Sequence, residues 1–141
     1  MDPPAGGGQL FSYVEIAGGA LHLGWWDSRN DACYDVTRPI GNCADRSTVP
    51  SLDAYAARSS DRGVTITGPS RQSTVSTYRN YEQFDDPQVP FACDYLGVTA
   101  LDIFAYAAWP DWRDPVPGMG TRWTHETSHK AHSAVLPCRS V

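Results

Sequence analysis

The chain has 141 residues, of which 41% are hydrophobic and 19% charged, so it is long enough for one globular domain with its own core. Its net charge is −5, and its eleven basic residues, among which Lys130 is the only lysine, are scattered, which argues against binding to nucleic acid. No apolar run approaches the roughly 20 residues of a membrane-spanning helix, and the first residues lack the basic and apolar regions of a signal peptide.

The first third of the chain predicts two strands followed by a long loop. Residues 9–17 alternate apolar and polar side chains and end at Gly18 and Gly19, which is typical of a strand that enters a tight turn. A second strand over residues 20–27 runs into a loop over residues 27–50 that is rich in Asp, Asn, Pro and Gly.

Two cysteines lie in this loop. Cys33 and Cys43 are separated by nine residues, a spacing that suits a local disulfide in an oxidising compartment. Two free thiols are the alternative, and the spacing fits no zinc-binding pattern.

Four further strands follow along the chain. Residues 52–60 and 65–73 predict a third strand and an edge-like fourth strand that contains Pro69. After a polar loop come two apolar runs, residues 91–100 and 102–111. The second run could be a helix, but Pro110 favours a strand, and the tail from Val116 has the composition of a loop.

The turn between the third and fourth strands has a defined pattern, SSDRGVTI. The Asp61 carboxylate can accept backbone N–H groups of its own turn, and Gly63 can adopt a positive φ without steric cost. The hydroxyls of Ser59 and Thr65 can satisfy the remaining backbone groups, and Ile66 is expected to be buried as the apolar anchor of the turn.

A short internal repeat relates the two halves of the chain. Each copy ends an apolar strand and reads Trp, any residue, Asp, any residue, Arg; the two copies are Trp25, Asp27 and Arg29, and Trp109, Asp111 and Arg113. The order of four strands, a loop and two further strands therefore predicts repeated units of four antiparallel strands, as in the blades of a β-propeller. Each repeated Trp is expected to pack between sheets.

The turn and the repeats together resemble the Asp-box proteins, that is, the sialidase-like or BNR-repeat β-propellers of secreted bacterial proteins. The Asp box has the pattern Ser, any, Asp, any, Gly, any, Thr, Trp, and here Ile66 stands in place of Trp. The resemblance covers about residues 10–118 and implies an all-β fold with about one and a half blades and an extracellular location. It divides the chain into a flexible N-terminus, a first blade, a loop with a partial second blade, and a divergent tail, at residues 1–9, 10–72, 73–118 and 119–141.

Sialidases bind the substrate carboxylate with an arginine cluster, and they use a Tyr–Glu pair and an Asp in catalysis. The resemblance makes Arg29 and Arg113 candidates for the arginines, although each could instead brace its own loop through the neighbouring Asp. Asp94 and Tyr95 are further candidates on a predicted inner strand. Tyr81 and Glu82 are not assigned, because adjacent strand residues point to opposite faces.

The tail holds a competing motif, HETSH. On a helix, His125 and His129 could bind zinc, with Glu126 as general base. Its Thr and Ser residues disfavour a helix, and His132 lies too far along the axis to be the third ligand. A solvated tail is the preferred interpretation, and no cofactor or metal is expected.

The sequence therefore predicts part of a sialidase-like Asp-box propeller without a complete catalytic set. A non-catalytic glycan- or protein-binding module and a small zinc protease are the alternatives. The expected partner is a glycan, with no nucleic acid or membrane, and open sheet edges could also lead to self-association.

Overall fold

The structure is a computed structural model that describes residues 7–77, 96–101, 104–111 and 130–136. These residues form an all-β arrangement of antiparallel strands in two sheets. The strands within them are β1 (Gln9–Ala17), β2 (Ala20–Asp27), β3 (Asp53–Ser59), β4 (Thr67–Arg71), β5 (Gly97–Leu101), β6 (Phe104–Asp111) and β7 (Lys130–Leu136).

Sheet 1 contains β1 to β4 in chain order. The turn from β1 to β2 consists of Gly18 and Gly19, whose positive φ angles of 56° and 75° favour glycine. The four strands agree with those expected from the alternation of apolar residues and from the glycine and proline residues that mark turns and edge strands.

Both outer strands of sheet 1 carry features that hinder pairing with another strand. In β1 the register shifts between Leu10 and Tyr13, and Phe11 in this bulge has a φ of 49°. β4 contains Pro69, which has no backbone N–H to donate. Such bulges and prolines are common protections of exposed sheet edges.

Sheet 2 contains β5, β6 and β7 in that order. The run ending at Pro110 is a strand, as preferred over a helix. The expectation of a loop-like tail was wrong for residues 130–136, because β7 pairs with β6 along its whole length. The local sequence of β7 is only weakly strand-like, so its conformation depends on the hydrogen-bonding edge that β6 provides.

The main core lies between the two sheets. Its central members are Trp26 from sheet 1 and Trp109 from sheet 2, and the smaller apolar residues around them are Leu52, Ala54, Leu96, Val98 and Ala107. Gly24 marks a close approach of the sheets, because a Cβ atom there would lie 2.7 Å from Val98 Cγ2 and 3.1 Å from Leu96 Cδ2.

A second apolar cluster lies on the opposite face of sheet 1. Trp25 stacks on Tyr55 there, with ring centroids 6.1 Å apart, and Ala57 completes the buried part of the cluster. Trp109 packs between the sheets as expected, but the expectation was wrong for Trp25. Successive residues of a strand point to opposite faces, so Trp26 faces sheet 2 and Trp25 faces away from it.

Gly24→Ala is expected to destabilise the protein by about 1 to 3 kcal/mol, because the new methyl group overpacks the core against Val98. Gly68→Ala is the matched control, since no atom of the described residues lies within 4 Å of a Cβ atom at that position. Urea unfolding of both variants measures the difference. Adding Val98→Ala should recover part of the loss at Gly24, and equal stability of the two glycine variants would contradict the close packing.

Candidate functional site

Two carboxylates are buried side by side at one end of sheet 1. Asp27 ends β2 and Asp53 begins β3, and the two residues are direct partners in the strand register. Both are completely buried. Neighbouring buried carboxylates repel each other and lose hydration, so each must be compensated by donors or by a cation.

Arg29 compensates Asp27. Its Nη2 atom lies 2.5 Å from Asp27 Oδ2, and its backbone N–H donates to Oδ1 at 2.9 Å. The indole N–H of Trp25 donates to the same carboxylate at 3.0 Å. The guanidinium carbon also lies 4.2 Å from the centre of the Tyr55 ring, in a cation–π contact. Arg29 is thus fixed both by charge and by stacking.

The donors decide the ionisation of Asp27. Burial acts to raise the pKa of this carboxyl, but the hydrogen bonds from Arg29 and Trp25 outweigh it and hold the pKa below the usual value. In turn, the hydrogen bond to Asp27 raises the pKa of Arg29. The pair is therefore a permanent ion pair over the physiological pH range.

Asp53 is surrounded by donors from three other parts of the chain. Arg71 contacts Oδ1 through Nη2 at 2.6 Å and through Nε at 2.8 Å. Asn30 Nδ2 donates to Oδ2 at 2.7 Å, and the hydroxyls of Ser73 and Ser76 donate at 2.8 and 3.1 Å. This network ties the end of β4 and both flanking loops to the start of β3.

The result is a group of four residues, Asp27, Arg29, Asp53 and Arg71, which we call the arginine end of sheet 1. The Arg29 and Arg71 side chains are 20% and 35% exposed, whereas both carboxylates are inaccessible. The sequence predicted, as one alternative, that Asp27 braces Arg29, and their ion pair confirms this; a role of Arg29 in binding a substrate carboxylate stays a prediction. The sequence did not indicate Asp53 and Arg71, for which the only signal was an Asp at the start of an otherwise apolar strand.

The loop after Arg29 is organised by one carboxylate and one disulfide. Asp31 accepts the backbone N–H groups of Cys33 at 2.9 Å and of Gly41 at 2.6 Å. Cys33 and Cys43 form the expected disulfide, with their Cα atoms 4.9 Å apart. These contacts hold the loop close to the end of β2, where Arg29 and Asn30 lie.

The Asp-box turn lies at the opposite end of sheet 1. Asp61 Oδ1 accepts the Ser59 hydroxyl and the Thr65 backbone N–H, both at 2.8 Å, and Ser59 Oγ accepts the Gly63 N–H at 2.8 Å. Gly63 has the expected positive φ, 88°. Ile66 is half-buried against the Trp25 cluster, so it is a weaker anchor than expected.

The hydrogen bonds of this turn also shift the ionisation of Asp61. The Thr65 side chain contributes most, followed by its backbone N–H and the Ser59 hydroxyl, and together they lower the pKa of Asp61 to about 2.

Several residues singled out in the sequence lie outside the described residues. They are Tyr81, Glu82, Asp94, Tyr95, Arg113, His125, Glu126 and His129. Asp111 is the last residue of β6, and His132 pairs with Trp109 in the register of β6 and β7. The convergence of Arg29 with Arg113 and a metal site in the HETSH motif stay predictions.

Comparison with family models, curated proteins and solved structures finds no match for this chain. In the described part of the chain, no helix is long and apolar enough to cross a membrane. Among the same residues, no three His, Cys, Asp or Glu side chains are grouped so that they could hold a metal ion.

Asp53→Ala is expected to lower the free energy of unfolding by about 1 to 3 kcal/mol, because the donors of Asn30 and Ser73 lose their acceptor. Asp45→Ala is the control, since this Asp is exposed and, among the described residues, its side chain accepts bonds from Ser47 in its own turn alone. Urea unfolding of the two variants tests this expectation. A loss at Asp53 no larger than that at Asp45 would contradict a structural role of the network.

Asp61→Asn should lower the melting temperature at neutral pH, and the difference from wild type should vanish in acid. The folded-state pKa of about 2 is below the ordinary value of 3.8, so the ionised carboxylate stabilises the fold above that ordinary value. This stabilisation is lost as the pH falls through about 2. Thermal melts of both proteins between pH 2 and 7 test it, with Val64→Ala in the same turn as control. A constant difference across this range would contradict the assignment.

Proposed function

We propose that this chain is part of a sialidase-like Asp-box β-propeller that acts outside the cell and binds acidic glycans at the arginine end of sheet 1. The observation that carries the proposal is the presence of two arginines, Arg29 and Arg71, that are each fixed by a buried carboxylate at the same end of the sheet.

The fold supports the propeller part of the proposal. A four-stranded antiparallel sheet has the Asp-box turn between its third and fourth strands, and this sheet packs face to face on a second antiparallel sheet. Radially packed sheets of this kind are the construction principle of β-propellers. The disulfide between Cys33 and Cys43 is consistent with an extracellular location.

The arginine end supports the choice of ligand. A guanidinium group presents a planar fork of donors that matches a carboxylate, and its rigid placement reduces the entropy lost on binding. Arg29 and Arg71 remain partly exposed although one side of each group is bonded to Asp27 or Asp53. They can therefore still donate to the carboxylate of an acidic sugar.

The same contacts favour binding over hydrolysis. Hydrolysis of a glycosidic bond needs a carboxyl group that can protonate the leaving oxygen. Asp27 and Asp53 are buried in ion pairs with Arg29 and Arg71, so neither is available as an acid. We therefore assign the arginine end to ligand recognition.

Binding of 3′-sialyllactose, with lactose as the neutral control ligand, tests the proposal by titration NMR. We expect binding of the sialylated sugar only, and a loss of about tenfold or more in Arg29→Lys and Arg71→Lys, because lysine keeps the charge but loses the donor fork. Arg62→Lys, at the Asp-box end of the same sheet, is the matched control and should bind like wild type.

Equal binding of lactose, or equal affinities of all three arginine variants, would refute the assignment of the arginine end. A fluorogenic sialoside measured in parallel separates the two activities, since release of the fluorophore would show hydrolysis and contradict a role in recognition alone.

A further inference from the structure

Each sheet has one face in the core between the sheets and one face that points away from it. The outer face of sheet 1 carries aliphatic side chains at its Asp-box end, which are Val14, Ile16, Leu21, Leu23 and Ile66. The outer face of sheet 2 carries Leu101, Phe104 and Tyr106. We use the terms outer face 1 and outer face 2 for these two sets.

Outer face 1 follows from the register of sheet 1. Val14 pairs with Leu23 and Ile16 pairs with Leu21, and paired residues point to the same face. Leu23 packs on the Trp25 cluster, which places all four on the face opposite to sheet 2. Val14 and Ile16 are 54% and 66% exposed, although solvent-facing strand positions are ordinarily polar.

Outer face 2 follows from the same reasoning. Ala105, Ala107 and Trp109 of β6 are buried towards sheet 1, so the alternate residues Phe104 and Tyr106 point outwards. Leu101 pairs with Phe104 and lies beside it. All three side chains are at least 44% exposed, and together they form a contiguous aromatic and aliphatic surface.

The internal repeat relates these two faces to the core that is already formed. Trp25 and Trp109 occupy the same place, two residues before the Asp that ends the second strand of each sheet. Trp109 points towards sheet 1, whereas Trp25 points away from sheet 2. The side of sheet 1 that carries Trp25 therefore corresponds to the side of sheet 2 that packs in the core. Conversely, outer face 2 corresponds to the face of sheet 1 that packs in the core.

We propose that outer face 2 of one copy of this chain binds outer face 1 of a second copy, in a continuation of the sheet packing that exists within the chain. Within the chain, the face of sheet 1 that carries Trp26 packs on the face of sheet 2 that carries Trp109, which corresponds through the repeat to the Trp25 face of sheet 1. The proposed contact joins the same two kinds of face between copies. Outer face 2 takes the place of the Trp26 face, and outer face 1 of the second copy takes the place of the Trp109 face.

The charges of the two faces permit this contact. The described residues that form them are uncharged, and Glu15 and Arg58 belong to the other face of sheet 1, as the pairing of both with His22 requires. Arg71 pairs with Tyr55 and therefore lies on the same side as outer face 1, at the arginine end, where it is bonded to Asp53. Among the described residues, the contact therefore buries no unpaired charge. Edge-to-edge pairing is hindered by the bulge at Phe11 and by Pro69, so faces are better suited than edges for association.

The proposed contact is heterologous, because two different surfaces meet. Such a contact leaves one free face of each type on every dimer, so that further copies add until a ring closes or a chain extends. A two-fold symmetric dimer, by contrast, would use the same face on both copies and would stop at two.

Sedimentation velocity on Ile16→Glu and Phe104→Glu tests the proposal, because each variant places a charge on one face and leaves the other intact. Wild type should associate beyond the dimer as its concentration rises from about 1 to 200 µM, a range typical of weak interfaces. Each variant alone should remain monomeric. An equimolar mixture should form a dimer and nothing larger, since outer face 1 of the Phe104→Glu copy and outer face 2 of the Ile16→Glu copy are both intact.

Val36→Glu is the control, because Val36 is an exposed apolar residue of the loop and belongs to neither face; it should associate like wild type. Circular dichroism confirms that each variant is folded, and Val14→Glu with Tyr106→Glu form a second pair if one of the first fails. A wild type that stays monomeric over the whole range overturns the proposal. Association of either variant alone, or a mixture that stays monomeric, overturns the pairing of these two faces. Neither outcome depends on the binding of a glycan.

Discussion

The structure depends on the burial of β2 on both of its faces. Trp25 and Trp26 are consecutive, so the alternation of a strand sends them to opposite sides and gives sheet 1 two apolar clusters. Trp26 joins the core with sheet 2, and Gly24 beside it allows the sheets to approach closely. Trp25 supports the other cluster and donates its indole N–H to Asp27. Trp25 and Trp26 thus contribute both to the packing of the sheets and to the polar end of sheet 1.

The polar end of the sheet is a consequence of this burial. Asp27 follows directly after the tryptophans and Asp53 is its partner across the strands, so both carboxylates are deprived of water. Buried ion pairs contribute little net stability, but they fix the positions of their members because a lone buried charge is so unfavourable. Arg29 and Arg71 are held in place in this way. Rigid donors lose less entropy when they bind a ligand, which favours the anion binding proposed for the arginine end.

The sequence predicted those features that are specified by neighbouring residues. The strands of sheet 1 and the Asp-box turn rest on local alternation and on hydrogen bonds within the segment from Ser59 to Thr65. The loop disulfide also joins residues close in the chain. What the sequence did not predict depends on distant partners: β7 requires the edge of β6, and the bond from Asn30 to Asp53 joins residues 23 positions apart. The prediction for Trp25 was wrong because the repeat shows which positions along two strands are equivalent, but not whether another sheet packs on the face that each side chain occupies.

Strand order has a further consequence for how the chain folds. Each sheet is a meander in which strands that follow one another in the chain also lie side by side, so each strand pairs with its neighbour in the sequence. The connection from β2 to β3 is the longest one within sheet 1 and spans residues 28–52. The disulfide between Cys33 and Cys43 shortens the effective length of this connection, so less conformational entropy is lost when the loop closes. Oxidation of these cysteines before β3 pairs would therefore accelerate the step that joins the two hairpins of sheet 1.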